Sequence, residues 1–190
     1  DADFTRLDGS TASVPTMAQA TNIGYTRGDG YTAAELPFRN GELAMVFILP
    51  DAGEFQAFED GLTAEKLAEV TGDLVPTFVD VKLPKFQFET TAPLNGPLQE
   101  LGLQKIFAGG DLSGMREQGG LEVSGVFHKT FIAVEEGGAE AAAATAIVVR
   151  ETSVGPLPDV SFHADRPFIF GIRDVETGLF LFFGRVVDPR

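Results

Sequence analysis

The chain has 190 residues, 44% of them hydrophobic and 22% charged, a balance that marks a globular protein rather than a disordered one. Its formal net charge of -14 works against nucleic acid, heparin-like polyanions and anionic lipid as partners, because each carries the same sign. Cysteine is absent, which excludes disulfides, thiol nucleophiles and thiolate metal sites and leaves the redox compartment open.

The surplus acid reads as a solubility device. No apolar run approaches the ~20 residues of a membrane-spanning helix. The chain opens at Asp1 without a methionine, so the lack of a visible leader decides nothing about secretion.

Strand signals dominate from the start. Asp29-Gly30, between Ile23-Gly24-Tyr25 and Tyr31, is a weak hairpin signal. A stronger one is Asn40-Gly41 between the apolar runs 31–38 and 42–49, since both residue types tolerate positive φ. Two short helices are expected next. Phe55 and Phe58 sit three apart after Asp51-Ala52-Gly53. Thr63 is placed to N-cap a helix with Glu65 in its first turn and Leu67 and Val70 inward.

Residues 78–88 alternate with period two, which predicts a half-buried strand, and Pro84 marks an edge or a bulge within it. Leu94, Leu98 and Leu101 have helical spacing that stops at Gly102. Residues 123–134 predict a long strand. Val126, His128, Thr130, Ile132 and Val134 share one face, and Phe127, Lys129, Phe131 and Ala133 share the other. Residues 168–173 and 179–187 give two last strands around a turn at Glu176-Thr177-Gly178. No repeat or domain boundary stands out. The fold class is mixed α/β (α+β), with mostly antiparallel sheets and a few short helices.

Residues 135–159 fit none of these patterns. The segment begins with two glutamates, two glycines and an alanine-rich run, and it ends around Pro156 and Pro158. A stretch of about 20 residues without regular structure inside a compact domain is functional or disordered.

Enzyme chemistry finds no constellation. The two histidines, His128 and His163, do not form a His-x-x-x-His pattern, and no Gly-x-Ser-x-Gly elbow is present. His128 shares its face with four non-ionisable neighbours, so a satisfied core histidine is expected. Gly28-Asp29-Gly30 mimics a dinucleotide loop but sits in a hairpin rather than between strand and helix. Glu135 and Glu136 are adjacent, so a strand would point them to opposite faces. No cofactor, no metal and no catalysis are expected.

Taken in chain order, these segments resemble the serpin family. Phe162-His163-Ala164-Asp165-Arg166-Pro167-Phe168-Ile169-Phe170-Gly171-Ile172 is similar to the family's C-terminal signature, and Leu181-Phe182-Phe183-Gly184-Arg185-Val186-Val187-Asp188-Pro189 follows as it does in the family. Val126-Phe127-His128-Lys129 through Val134-Glu135-Glu136 resembles the strand that feeds the reactive loop. Leu83-Pro84-Lys85-Phe86 and Asp111-Leu112-Ser113-Gly114 resemble further landmarks. The resemblance covers the C-terminal half of a single serpin domain, with a reactive-centre loop at about 137–159. It implies most of two smaller sheets, and of the main sheet only the strands around 79–89 and 123–135.

The resemblance implies an inhibitor of serine-type endopeptidases whose bait loop is cut and then inserts as a new strand, trapping the acyl-enzyme. Glu136 corresponds to the family's hinge acid, and insertion begins near Gly138. Strand alternation then puts Ala139, Ala141, Ala143 and Thr145 on one face, with Glu140, Ala142 and Ala144 on the other. The first face is uniformly small and passes inward without a clash. From residues alone a short helix is an equal reading, since alanine favours it; the resemblance selects the hinge.

Family spacing places the reactive bond between Thr152 and Ser153, which suits an elastase- or subtilisin-like protease. Arg150 offers a trypsin-like alternative with a shorter loop. Lys85 and Glu136 are expected to form an ion pair at the loop's entry that favours the uninserted state. His128 resembles a histidine beneath the sheet's opening, here without its usual hydrogen-bond partners. The resemblance also carries an extracellular setting as an expectation. Two other readings stay open: a non-inhibitory serpin with a carrier, chaperone or storage role, and an inactive fragment. An exposed main-sheet edge would invite self-association and make the isolated chain a poor inhibitor.

Overall fold

A computed structural model describes residues 1–116, 120–136 and 156–190. These form two compact units, residues 1–86 with 134–190 and residues 87–133.

In the first unit β1 (Ala2–Thr5) and β2 (Thr11–Val14) form an antiparallel pair. After them comes β3 (Thr16–Gly28), long enough to serve two neighbours. Its outer side pairs with β6 (Val75–Pro84) from Thr16 to Tyr25, and its end pairs with β4 (Tyr31–Pro37) from Gly24 to Gly28. Next to β4 lies β5 (Leu43–Pro50), buried along nearly its whole length. The result is one seven-stranded sheet, in the order β11 (Phe180–Val186), β10 (Phe168–Asp174), β5, β4, β3, β6, β9 (Val160–His163), where two smaller sheets were expected. The difference has a simple cause: β3 runs unbroken through 13 residues and joins the two halves.

The hairpins fall where the glycines allow them. Gly30 and Gly41 take φ of 78° and 74°, values in the left-handed region open to glycine. The Asn40 turn is wider than a two-residue hairpin. Phe38 N–H bonds to Leu43 O, and Asn40 Oδ1 accepts from Glu42 N–H.

α1 (Phe55–Asp60) and α2 (Ala64–Gly72) follow as expected. Thr63 caps α2 by accepting from Lys66 N–H at 3.2 Å. Phe55, Val70, Phe58 and Leu67 pack onto Tyr31, Ala33, Val46, Ile48 and Ile169, which closes one face of the sheet. Burying each large apolar side chain there contributes roughly 1.5–3 kcal/mol.

The strand expected over 78–88 is two strands. β6 ends at Pro84, where its ladder with β3 ends at Thr16. Lys85 N–H still bonds to Pro15 O at 2.8 Å, and then β7 (Phe86–Pro93) departs into a different, two-stranded sheet. The main-sheet strand expected around 79–89 therefore begins only at Phe86. Proline has no N–H to offer the ladder, which is why the switch falls there.

In the second unit β7 leads to α3 (Asn95–Glu100), and Gly102 stops it at φ 95°. A short 3-10 turn occupies Lys105–Phe107. β8 (Phe127–Val134) is shorter than the 123–134 expected and pairs with β7.

The chain returns to the seven-stranded sheet through β9 (Val160–His163), which pairs parallel to β6, and then through β10 (Phe168–Asp174) and the edge strand β11 (Phe180–Val186). Asp174 holds the last turn by accepting from Thr177 N–H and Oγ1 at 2.7 Å each. β10 lies between β5 and β11, with Phe168, Ile169 and Phe170 at most 2% exposed. The Phe170 ring is wedged between Phe86 and Phe182, at centroid distances of 5.2 Å and 6.0 Å.

Gly184 is the floor on which Phe170 rests, since a Cβ there would sit 2.7 Å from Cζ of that ring. Replacing Gly184 by alanine is therefore expected to lower unfolding stability by about 1–3 kcal/mol through overpacking. Urea melts of the two proteins measure the difference, and equal midpoints would show that the ring moves freely.

Candidate functional site

The site is the pair of anchors from which residues 137–159 depart. Gly138 through Thr145, Arg150, Thr152 and Ser153 lie outside the described residues, as do all positions in 117–119 and 137–155. The anchors themselves are described on both sides.

The entry anchor forms at the sheet switch. Lys85 sits between β6 and β7, and Glu136 lies two residues beyond β8. Lys85 Nζ and Glu136 Oε2 form an ion pair, with the two side chains 37% and 62% exposed. The hydrogen bond from Lys85 holds the Glu136 carboxyl below its ordinary value, and Glu136's own backbone amide adds to this. A pair this open to water is weak and screened by salt.

The exit anchor is built from backbone. Asp159 N–H bonds to Phe78 O at 2.8 Å, and β9 then pairs with β6 from Val79↔Val160 to Lys82↔His163. Ala164 N–H continues the contact to Lys82 O at 2.9 Å. His163 Nε2 lies 2.8 Å from Asp80 Oδ2, so a side-chain contact reinforces the parallel pair. Arg166 Nε then donates to Pro50 O at 2.9 Å and ties the segment after β9 to the end of β5. Both anchors thus lie along one strand, at Lys85 just past the end of β6 and at Phe78 within it.

His128 is not a core histidine. It is exposed, as are Phe127 and Lys129 beside it, and burial on that face starts only at Ile132 and Val134. It makes no hydrogen bond among the described residues. The reason is positional: nothing described covers the first half of β8. The His163–Asp80 contact was not foreseen. Each residue sits in a strand-like stretch, but their pairing joins positions 83 apart and depends on β9 returning to β6. Among the described residues no three His, Asp or Glu side chains are grouped to hold a metal ion.

The described residues form a mixed, largely antiparallel framework that fixes Glu136 and Asp159 along β6. The family model for Serpin (serine protease inhibitor) matches residues 1–189. The chain belongs to the serpin family. A serpin-like protein of Thermococcus kodakarensis is 39% identical over 183 residues, covering 95% of this chain and 42% of that protein. Leukocyte elastase inhibitor A of Rattus norvegicus is 41% identical over 200 residues, covering 100% and 52%. The native-state structure of Tengpin, a thermophilic serpin, matches with a TM-score of 0.81 at 30% identity, covering 98% of this chain and 49% of that one. The chain spans about half the length of these relatives.

The Lys85–Glu136 pair has a measurable signature. A carboxyl whose folded pKa is depressed contributes stability above the ordinary glutamate value, and the contribution is lost as pH falls through the lowered one. Glu136 is expected to titrate at lower pH in the native chain than in Lys85→Met. Carboxyl chemical shifts followed against pH compare the two, and identical titration midpoints would mean that the pair does not persist in solution.

Proposed function

We propose that this chain carries the bait loop of a serine-type endopeptidase inhibitor that works by strand insertion. Serpins are in general protease inhibitors rather than enzymes, and one relative is named for elastase. The observation that carries the reading is the alternation of small residues after the hinge, Ala139, Ala141, Ala143 and Thr145, next to an acid tied at Lys85. Small side chains on the inward face let a strand slide beneath a covering layer. Glu140, of opposite parity, stays in water.

Slack in the loop supports the same reading. Phe78 and Lys85 are seven positions apart along an extended strand, so the anchors are separated by about 23 Å. The intervening chain could span roughly 70 Å if extended. It therefore has length to present a bond to a protease while both ends stay attached.

The bond offered is Thr152–Ser153, which directs the inhibitor at an elastase- or subtilisin-like enzyme. Arg150 is the trypsin-like alternative. Inhibition belongs to the whole domain, and the family match running through both units supports treating them as parts of one. An extracellular setting is part of the same proposal. So is self-association, since β8 has no strand neighbour besides β7 among the described residues, and such an edge can pair with another chain.

Incubation with elastase or subtilisin, read by denaturing electrophoresis and mass spectrometry, tests the proposal. Cleavage is expected to yield a fragment beginning at Ser153, with part of the protease carried in an SDS-stable complex. A fragment beginning at Glu151 would move the bond to Arg150. Complete cleavage without any complex, by these enzymes and by trypsin, would overturn the inhibitory mechanism.

Ala143→Glu places a charge on the inward face, where burial without a partner is prohibitive. The complex is expected to fall more than about tenfold while cleavage continues, because an unpaired charge there costs several kcal/mol. Retention of the complex in Ala143→Glu would mean that this face does not enter the sheet.

A further inference from the structure

The start of β8 is held in an unusual way. Val126, one residue before the strand, has both backbone groups engaged. Its C=O accepts from Leu94 N–H at 2.8 Å, and its N–H donates to the side chain of Asn95, at 2.8 Å from Oδ1. Asn95 Nδ2 in turn donates to Ser124 O at 3.3 Å.

Leu94 is the first residue past β7, and Asn95 opens α3. Leu94 N–H makes the last backbone bond to β8's side, and from Asn95 on the backbone has turned into a helix and no longer continues the ladder. A side-chain amide, however, presents one C=O and an N–H much as a peptide unit does. Asn95 stands in for the missing peptide and adds a rung beyond the end of β7.

The strand needs that rung. Register is strongly specified where one face is buried and weakly where neither is. Ile132 and Val134, each 7% exposed, anchor the C-terminal half of β8. Phe127, His128 and Lys129 are all exposed, so neither face of the first half holds it. The Lys129–Glu89 pair, 2.7 Å long but 63% and 58% exposed, contributes little. The chemistry at position 95 is also selective. Aspartate lacks the donor that meets Ser124 O, and alanine lacks both groups.

We propose that Asn95 is a positioning residue that fixes the register of the N-terminal half of β8 against β7. The consequence for trapping rests on the inhibitory reading above. A loop inserting beside β8 from the Glu136 end runs antiparallel to it, so its distal residues must pair with this first half. If that half is loose, the proximal loop still enters and the distal part finds no fixed ladder. Asn95 thereby sets how completely the loop inserts.

Amide hydrogen exchange of the full chain tests the pin directly. In Asn95→Ala, Val126 and the first β8 amides are expected to exchange at least about tenfold faster, with β6 and β10 unchanged, as local opening predicts. Asn95→Asp keeps the acceptor for Val126 N–H and should fall between the two. Unaltered exchange at Val126 in Asn95→Ala would overturn the assignment.

The second readout is the ratio of SDS-stable complex to cleaved chain, expected to drop severalfold in Asn95→Ala while the bait bond is still cut. An equal ratio would remove the link to trapping. A native chain that forms no complex with any of the proteases counts against the inhibitory reading alone, and exchange at Val126 then judges Asn95 by itself.

Discussion

Backbone pairing along β6 is the constraint on which the candidate site depends. Through Thr16 to Tyr25 it locks β6 to β3, and through Val160 to His163 it receives β9 on the opposite side. A strand paired on both sides has little freedom, so Phe78 and Lys85 sit at fixed points on a stiff element. Glu136 and Asp159, on either side of positions 137–158, are held at those points.

The two anchors differ in strength because they differ in chemistry. Asp159 and Ala164 are held by backbone hydrogen bonds that continue a sheet, backed by the part-buried contact of His163 with Asp80. Glu136 is held by a side-chain ion pair largely open to water. Such a pair weakens with salt and with acid, whereas a ladder yields only when the strand leaves. The weaker anchor is the one at Glu136.

Much of this was legible in the sequence where the physics is local. Thr63 as a cap, Gly102 as a helix stop, the Asn40-Gly41 and Asp29-Gly30 turns and the strands expected over 168–173 and 179–187, found at 168–174 and 180–186, depend on residues close in the chain. The Lys85–Glu136 contact came from family resemblance, since nothing local connects residues 51 positions apart. His128 misled because alternation assigns a side chain to a face without saying whether anything covers that face. β1 and β2, with few alternating apolar residues, and β9, four residues long, carry too weak a period to be recognised.

The sequence by itself determined the fold class, the family, the turn positions and the small-residue alternation after Glu136. Each rests on side-chain size, backbone freedom or motif order within a short stretch. Only the tertiary structure decided that β3 joins two sheets into one, that the chain changes sheets at Lys85, that Asp80 meets His163, and that Asn95 completes the ladder at Val126. Those features depend on which strands become neighbours. Neighbourhood is set by burial and hydrogen bonding summed over distant segments, and no single stretch of sequence encodes that sum.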